Sequence, residues 1–175
     1  SEISKNSIEL LVKALRFEVV EEGTFVGEGM QSSQEYFVLS GYGRMYVTSE
    51  DGVETTLTFL TPNTVAPPLK TRVSNGKSTV NIEALTELTI AHIDSRIFFQ
   101  MCIENKDIMM LGTKMMEYNL LEKSEKEIAL ATLKGLGRLA FFRDKFPTLE
   151  NFVSHQYIAS YLGITNVSLS RLRSK

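Results

Sequence analysis

Cysteine, histidine, tryptophan and proline are scarce: 175 residues hold one Cys, two His, no Trp and four Pro. A lone thiol, Cys102, excludes an internal disulfide and falls short of the four or so cysteines an iron-sulfur cluster needs. In Phe99-Gln-Met-Cys-Ile103 it reads as a small buried hydrophobe. Two histidines far apart in sequence, His92 and His155, do not supply the clustered ligands of a cupin-like metalloenzyme. His92, within Ile90-Ala-His-Ile93, reads as an ordinary strand residue. No metal site, cofactor or catalytic residue is therefore expected, and the chain reads as a non-enzyme. Also missing is an apolar run of membrane-span length, and residues 1–6 are too polar for a signal peptide, so a cytoplasmic location without membrane contact is expected.

An excess of one charge sign is lacking overall, with 19 basic and 21 acidic side chains and a formal net charge of −2. The chain is no bulk polycation. Locally the balance is uneven. Residues 1–94 carry 7 Lys/Arg and 13 Asp/Glu, residues 95–150 carry 9 and 8, and residues 151–175 carry 3 and none. The acid-free end is the part suited to meet a polyanion.

What is present is enough apolar material, 43% of residues, for a buried core. A short amphipathic helix over 8–15 precedes β-type runs at 36–39, 44–48, 53–60, 78–84 and 88–93, separated by Gly, Asp, Asn and Pro turns. These predict an antiparallel roll ending near His92. From Asp94 the pattern turns helical, with no proline before Pro147. Ile108, Leu111, Met115 and Tyr118 recur at helical spacing and form a candidate dimer seam, with self-packing of the same stripe as the alternative. Gly135 and Gly137 weaken the following helical run by roughly 1 kcal/mol each and mark a hinge or break. Phe141, Phe142, Phe146 and Phe152 are expected in the core beneath the C-terminal end.

Residues 154–173 carry the most informative pattern. Ile158, Ala159 and Leu162 share one helix face, and Gly163 permits a sharp turn. Ile164, Leu169 and Leu172 supply the apolar partners beyond it. Ser154 and Thr165 are placed to cap the two helices. With Leu169 and Leu172 inward, the second helix presents Asn166, Val167, Ser168, Ser170 and Arg171 outward. Arg171 can bond guanine bidentately, Asn166 can pair with adenine, and Val167 can touch a thymine methyl. Ser154, His155, Thr165, Arg173 and Lys175 suit phosphates. The competing reading is a helical hairpin whose polar face is merely solvated.

The order of roll, long helix and terminal helical hairpin resembles the Crp/Fnr family of bacterial transcription regulators. The resemblance rests on Glu22-Gly-Thr-Phe-Val26, Glu28-Gly29, Tyr36-Phe-Val-Leu-Ser-Gly41 and Asp51-Gly52 in the roll. More specific are His155-Gln-Tyr-Ile-Ala-Ser-Tyr-Leu-Gly163-Ile-Thr165 and Leu169-Ser-Arg171, which look like Crp-like regulators of the Bacteroides group. It implies an α+β fold with three parts: an N-terminal antiparallel β-roll of the double-stranded β-helix or jelly-roll type (1–94), connecting and dimerisation helices (95–123) and an all-α helix-turn-helix domain (124–175). It further implies double-stranded DNA, a second copy of the chain and RNA polymerase as partners. The family's cyclic-nucleotide site uses a Gly-Glu pair for ribose and an Arg-Ser or Arg-Thr pair for the cyclic phosphate. This chain has Asn63-Thr-Val-Ala-Pro-Pro-Leu-Lys-Thr-Arg72 at the first place and no arginine at the second. Cyclic AMP is therefore not the expected effector. Lys70, Arg72, Lys77, Ser78 and Thr79 are the candidates for another anionic ligand, with solvated loop charges as the alternative. A degenerate regulator acting through ligand or protein binding without specific DNA recognition is the second functional reading.

Overall fold

The computed structural model describes residues 3–26, 33–67, 73–74, 77–78 and 80–174. Lys70, Arg72, Thr79 and Lys175, proposed above for effector or phosphate, lie outside the described residues, and of Lys77 and Ser78 the backbone alone is described.

Among the described residues a first helix α1 (Lys5–Ala14) leads into eight strands: β1 (Arg16–Val20), β2 (Gln34–Ser40), β3 (Gly43–Thr48), β4 (Glu54–Leu60), β5 (Val73–Ser74), β6 (Lys77–Ser78), β7 (Asn81–Ala84) and β8 (Leu88–Asp94). Pairing is antiparallel in two three-stranded sheets, ordered β1-β8-β2 and β4-β3-β7, with β5 and β6 forming a small ribbon. The strand β1 was not anticipated. Its residues Phe17 and Val19 alternate with Arg16 and Glu18 as in a half-buried strand, yet both are 59% exposed. The run expected at 78–84 is divided between β6 and β7. Val20, Val38, Met45, Leu60, Ile82, Ala84, Leu88 and Ile90 fill the roll between the sheets.

Tight turns require glycine where the backbone φ is positive. Gly41, at φ 82°, joins β2 to β3 where a Cβ would stand 2.1 Å from the carbonyl oxygen of Glu87. No other residue fits so close an approach of two chain segments.

Beyond the roll come α2 (Ser95–Glu104), the long α3 (Lys106–Thr132) and α4 (Gly135–Lys145), then a single 3-10 turn (Leu149–Asn151), α5 (His155–Tyr161) and α6 (Asn166–Arg173). Asn105 caps α3 by accepting the amide N–H groups of Asp107 and Ile108. The long helix runs through position 123 to Thr132, and the break falls at Leu133 and Lys134, ahead of the two glycines. Gly135 serves close packing rather than a hinge: a Cβ there would be 3.0 Å from Leu172 Cδ1. The expected apolar stripe on α3 needs a correction. Ile108 is 1% exposed and packs with Ile93 and Met101 inside its own subunit, so it does not face outward. Gly112 allows this, since its Cα faces Cys102 Sγ and Phe98 where a side chain would crowd them. The exposed apolar residues of α3 are Met109, Met116, Tyr118, Leu120, Leu121 and Ile128, with Leu111 and Met115 half-buried. Among the described residues no helix is long and apolar enough to cross a membrane.

Candidate nucleic-acid interface

Local chemistry builds the terminal hairpin as its sequence requires. Ser154 accepts the Gln156 amide to start α5, and Thr165 accepts the Ser168 amide to start α6. Gly163 takes φ 64° between them, and the Ile164 amide donates to the Ala159 carbonyl, closing the turn. Ile158, Ala159, Leu162 and Leu169 are buried in one cluster with Leu139, Phe142, Phe146 and Leu149, and Ile164 and Leu172 pack against it. Of the four phenylalanines expected in that core, Phe142 and Phe146 are buried, Phe141 packs at its margin and Phe152 is 53% exposed, stacked on Tyr42 of the roll. The polar turn that carries Phe152 puts it at the seam between roll and hairpin, not beneath it.

With Leu169 inward, Asn166, Val167, Ser168, Ser170 and Arg171 are exposed on α6. Among the described residues the side chains of Asn166, Ser170 and Arg171 have no hydrogen-bond or ion-pair partner. Ser168 differs: its hydroxyl is 2.9 Å from Thr165 Oγ1, so both are drawn into the helix cap. Ser154 is likewise committed to its cap. Arg173 is held rather than free, donating from Nε to Glu150 at 2.6 Å, with its Nη1 3.0 Å from His155 Nδ1.

Three residues that sequence reasoning missed fix this hairpin in place. Arg138 of α4 donates to the carbonyls of Leu130 (2.8 Å) and Leu133 (3.0 Å) at the end of α3, and to that of Leu162 (3.0 Å) at the end of α5. One guanidinium thus satisfies orphan carbonyls at two helix C-termini, where the helix dipole favours a cation. Ser160 and Lys126 instead engage the edge strand β4. Ser160 Oγ accepts the Thr56 amide at 2.9 Å and donates to the Glu54 carbonyl at 3.2 Å. Lys126 Nζ, on α3, donates to the Leu57 carbonyl at 2.7 Å and lies 3.9 Å from the Tyr161 ring centroid. An open sheet edge is therefore closed by side chains of the hairpin and the long helix.

The same seam carries an aromatic cluster and a buried ion pair. Phe59 of β4 meets Phe142, Phe146 and Tyr161 at centroid distances of 5.9, 5.7 and 5.5 Å. The first two are edge-to-face, and contacts of that kind add roughly 0.5 to 1.5 kcal/mol per pair beyond area burial. Arg44 of β3, 2% exposed, bonds Glu83 and Glu54 and lies between the rings of Tyr46 (4.0 Å) and Tyr157 (3.7 Å). Roll and hairpin thus share one core.

In the roll, the segment after β4 folds back on β2: the Asn63 amide donates to Val38 and the Ala66 amide to Tyr36. His92 lies outside the roll interior, its Nδ1 3.1 Å from Gln34 Oε1 and its Nε2 3.8 Å from Glu18. It borders an open groove of about 780 Å³ that Arg16, Asp94, Arg96 and Gln100 also line. Among the described residues no group of His, Cys, Asp and Glu could hold a metal ion.

A β-roll joined by a long helix to a terminal helix-turn-helix is the architecture of the Crp/Fnr transcription regulators. The family model of the cyclic nucleotide-binding domain matches residues 16–105, more than half of the chain, and the chain belongs to that family. Among solved structures, FixK2 from Bradyrhizobium japonicum is similar with a TM-score of 0.77 at 18% identity, covering 91% of this chain and 83% of that one. A Crp/Fnr-family transcriptional regulator from Eubacterium rectale gives 0.72 at 19%, covering 97% and 81%. The c-di-GMP responsive global regulator CLP of Xanthomonas campestris gives 0.73 at 17%, covering 98% and 90%. At these identities the likeness is one of fold. No curated protein matches the chain.

Proposed function

We propose that this chain is a DNA-binding transcription regulator of the Crp/Fnr type, reading an inverted-repeat operator as a homodimer. The observation that carries the reading is the capped α5 and α6 pair, whose inner faces are buried while Asn166, Val167, Ser170 and Arg171 stand exposed and, where polar, unengaged. Side chains without internal partners on a helix that follows a tight glycine turn are free to enter a major groove. In this reading Arg171 supplies the principal base contact, and His155 with Lys175 meets phosphates. Two copies pair along α3 through Met109, Met116 and Leu120, with Leu111, Met115 and Tyr118 at the margin, setting the two reading helices about one DNA turn apart.

The effector is read as something other than cyclic AMP, because the sequence lacks the arginine that would pair with the cyclic phosphate. A buried phosphate without a cationic partner is costly to desolvate. Catalysis is not part of the proposal, since His92 is engaged with Gln34 and Glu18 rather than with a ligand set.

A fluorescence-anisotropy assay on promoter fragments and random duplex, at several salt concentrations, tests the reading. Arg171→Ala is expected to lose about 1 to 3 kcal/mol on the cognate site and much less on random sequence. Wild-type protein that shows no preference over random DNA refutes it. Saturable thermal stabilisation by cyclic AMP would overturn the effector statement alone.

A further inference from the structure

Residues 151–175 contain no acidic side chain, yet the fold returns Glu150, just ahead of them, to the flank of the reading helix. Glu150 sits in the 3-10 turn between α4 and α5. Its Oε2 accepts Arg143 Nε at 2.7 Å, and its Oε1 accepts both Arg143 Nη2 at 3.0 Å and Arg173 Nε at 2.6 Å. Arg143 closes α4 and Arg173 closes α6, so one carboxylate bridges the reading helix to the helix before the hairpin. The carboxylate is 15% exposed, whereas the two arginine side chains are 49% and 35% exposed. The bond from Arg143 holds the Glu150 carboxyl below its ordinary range against the opposing effect of burial, and Arg173 adds to it. Charge-assisted bonds of this kind are about twice as strong as neutral ones.

We propose that Glu150 is an electrostatic restraint on DNA binding. It occupies Arg143 and Arg173, leaving one net positive charge at the flank where two would otherwise face the phosphates. Sequence-independent affinity, which scales with the number of phosphates neutralised, is thereby kept down, while base reading by Arg171 is untouched. This inference rests on the DNA-binding reading above. Its physical rival is a purely structural tether that fixes the end of α6.

Three variants, Glu150→Gln, Arg173→Gln and the pair combined, separate the two in anisotropy titrations on random duplex across a salt series, with thermal melts alongside. Glu150→Gln should bind random DNA about tenfold more tightly near 100 mM salt, with a salt slope steeper by about one unit. Adding Arg173→Gln should abolish that gain, and Arg173→Gln alone, which takes the flank from one net positive charge to none, should weaken random-DNA binding about tenfold. A Glu150→Gln protein with a wild-type melt that binds random DNA no more tightly than wild type overturns the restraint. So does an Arg173→Gln protein with a wild-type melt whose random-DNA affinity changes by less than about threefold, an outcome that counts even if Glu150→Gln does not fold. Failure of wild type to bind any duplex overturns the functional reading itself. Operator-selective wild-type binding with an unmoved Glu150→Gln overturns only the restraint.

Discussion

The Ser160 hydroxyl accepts the backbone amide of Thr56 at 2.9 Å, across the seam between the helical hairpin and the edge of the roll. Thr56 is fully buried, so removing that acceptor strands an N–H group with no access to water. Ser160→Ala is expected to cost about 1 to 3 kcal/mol in urea unfolding. Thr56 offers a contrasting substitution. Its own Oγ1 is buried and has no hydrogen-bond partner, so Thr56→Val removes an unpaid polar group at constant shape and should raise stability by up to about 1 kcal/mol. A drop in stability for Thr56→Val would contradict this account.

Lys126 makes stability depend on alkaline pH. Burial lowers its ammonium from the ordinary 10.5 to about 8. The unfolded chain therefore binds more protons between these values, and stability rises with pH through that window, reaching a gain of about 3 kcal/mol at most. Above pH 10 Tyr161 reverses the trend: burial pushes its phenol up, with Glu122 and Glu125 adding to the effect, so the unfolded state ionises first and stability falls. Equilibrium unfolding from pH 7 to 11 should show a maximum near pH 10, and Lys126→Met should flatten the rising limb.

The Arg44 ion pairs predict asymmetry between single and double substitutions. Glu83, 13% exposed, is paired with Arg44 at 2.6 Å, while Glu54 is 43% exposed and can hydrate. Arg44→Met should cost about 3 to 5 kcal/mol because it leaves a buried carboxylate unpaired. Arg44→Met with Glu83→Gln should recover a large part of that loss in a double-mutant cycle. Equal stability of the single and double variants would show that the stacking of Arg44 between Tyr46 and Tyr157, rather than the charge, is what matters there.

Two glycines with similar positive φ should respond differently to alanine. At Gly163 the nearest atom to an added Cβ is Arg138 Nη1 at 3.6 Å, so Gly163→Ala meets only the left-handed backbone penalty. That is about 1 to 2 kcal/mol. At Gly41 the added Cβ would collide with a backbone carbonyl at 2.1 Å, which no rotamer relieves. Gly41→Ala should lose about 3 kcal/mol or more, and thermal melts of the two variants check the ranking.

Much of this was legible from local pattern. The β-type runs over 36–39 and 44–48, turn residues at 40–43, and the Ser154, Gly163 and Thr165 punctuation each concern interactions within a few residues, and the strands and caps stand close to where that pattern put them. For Ile108 the sequence left a dimer seam and self-packing both open, because helical spacing identifies an apolar face without saying what covers it. The packing of α2 on α3 over Gly112 turned that residue inward. Arg173 resembled Arg171 in sequence, and only the return of Glu150 sets the two apart.

By itself the sequence determined the succession of roll, long helix and capped terminal hairpin and the face the hairpin presents, because periodicity, φ preference and capping act over short separations. Tertiary structure decided what those elements are attached to. Arg44 and Tyr46 alternate with Met45 as if half of β3 met solvent, yet four consecutive residues of that strand are buried, since α5 lies over its other face. The pairing of Arg44 with Glu83, of Lys126 with β4 and of Glu150 with Arg173 joins residues distant in the chain, and no local pattern encodes such contacts.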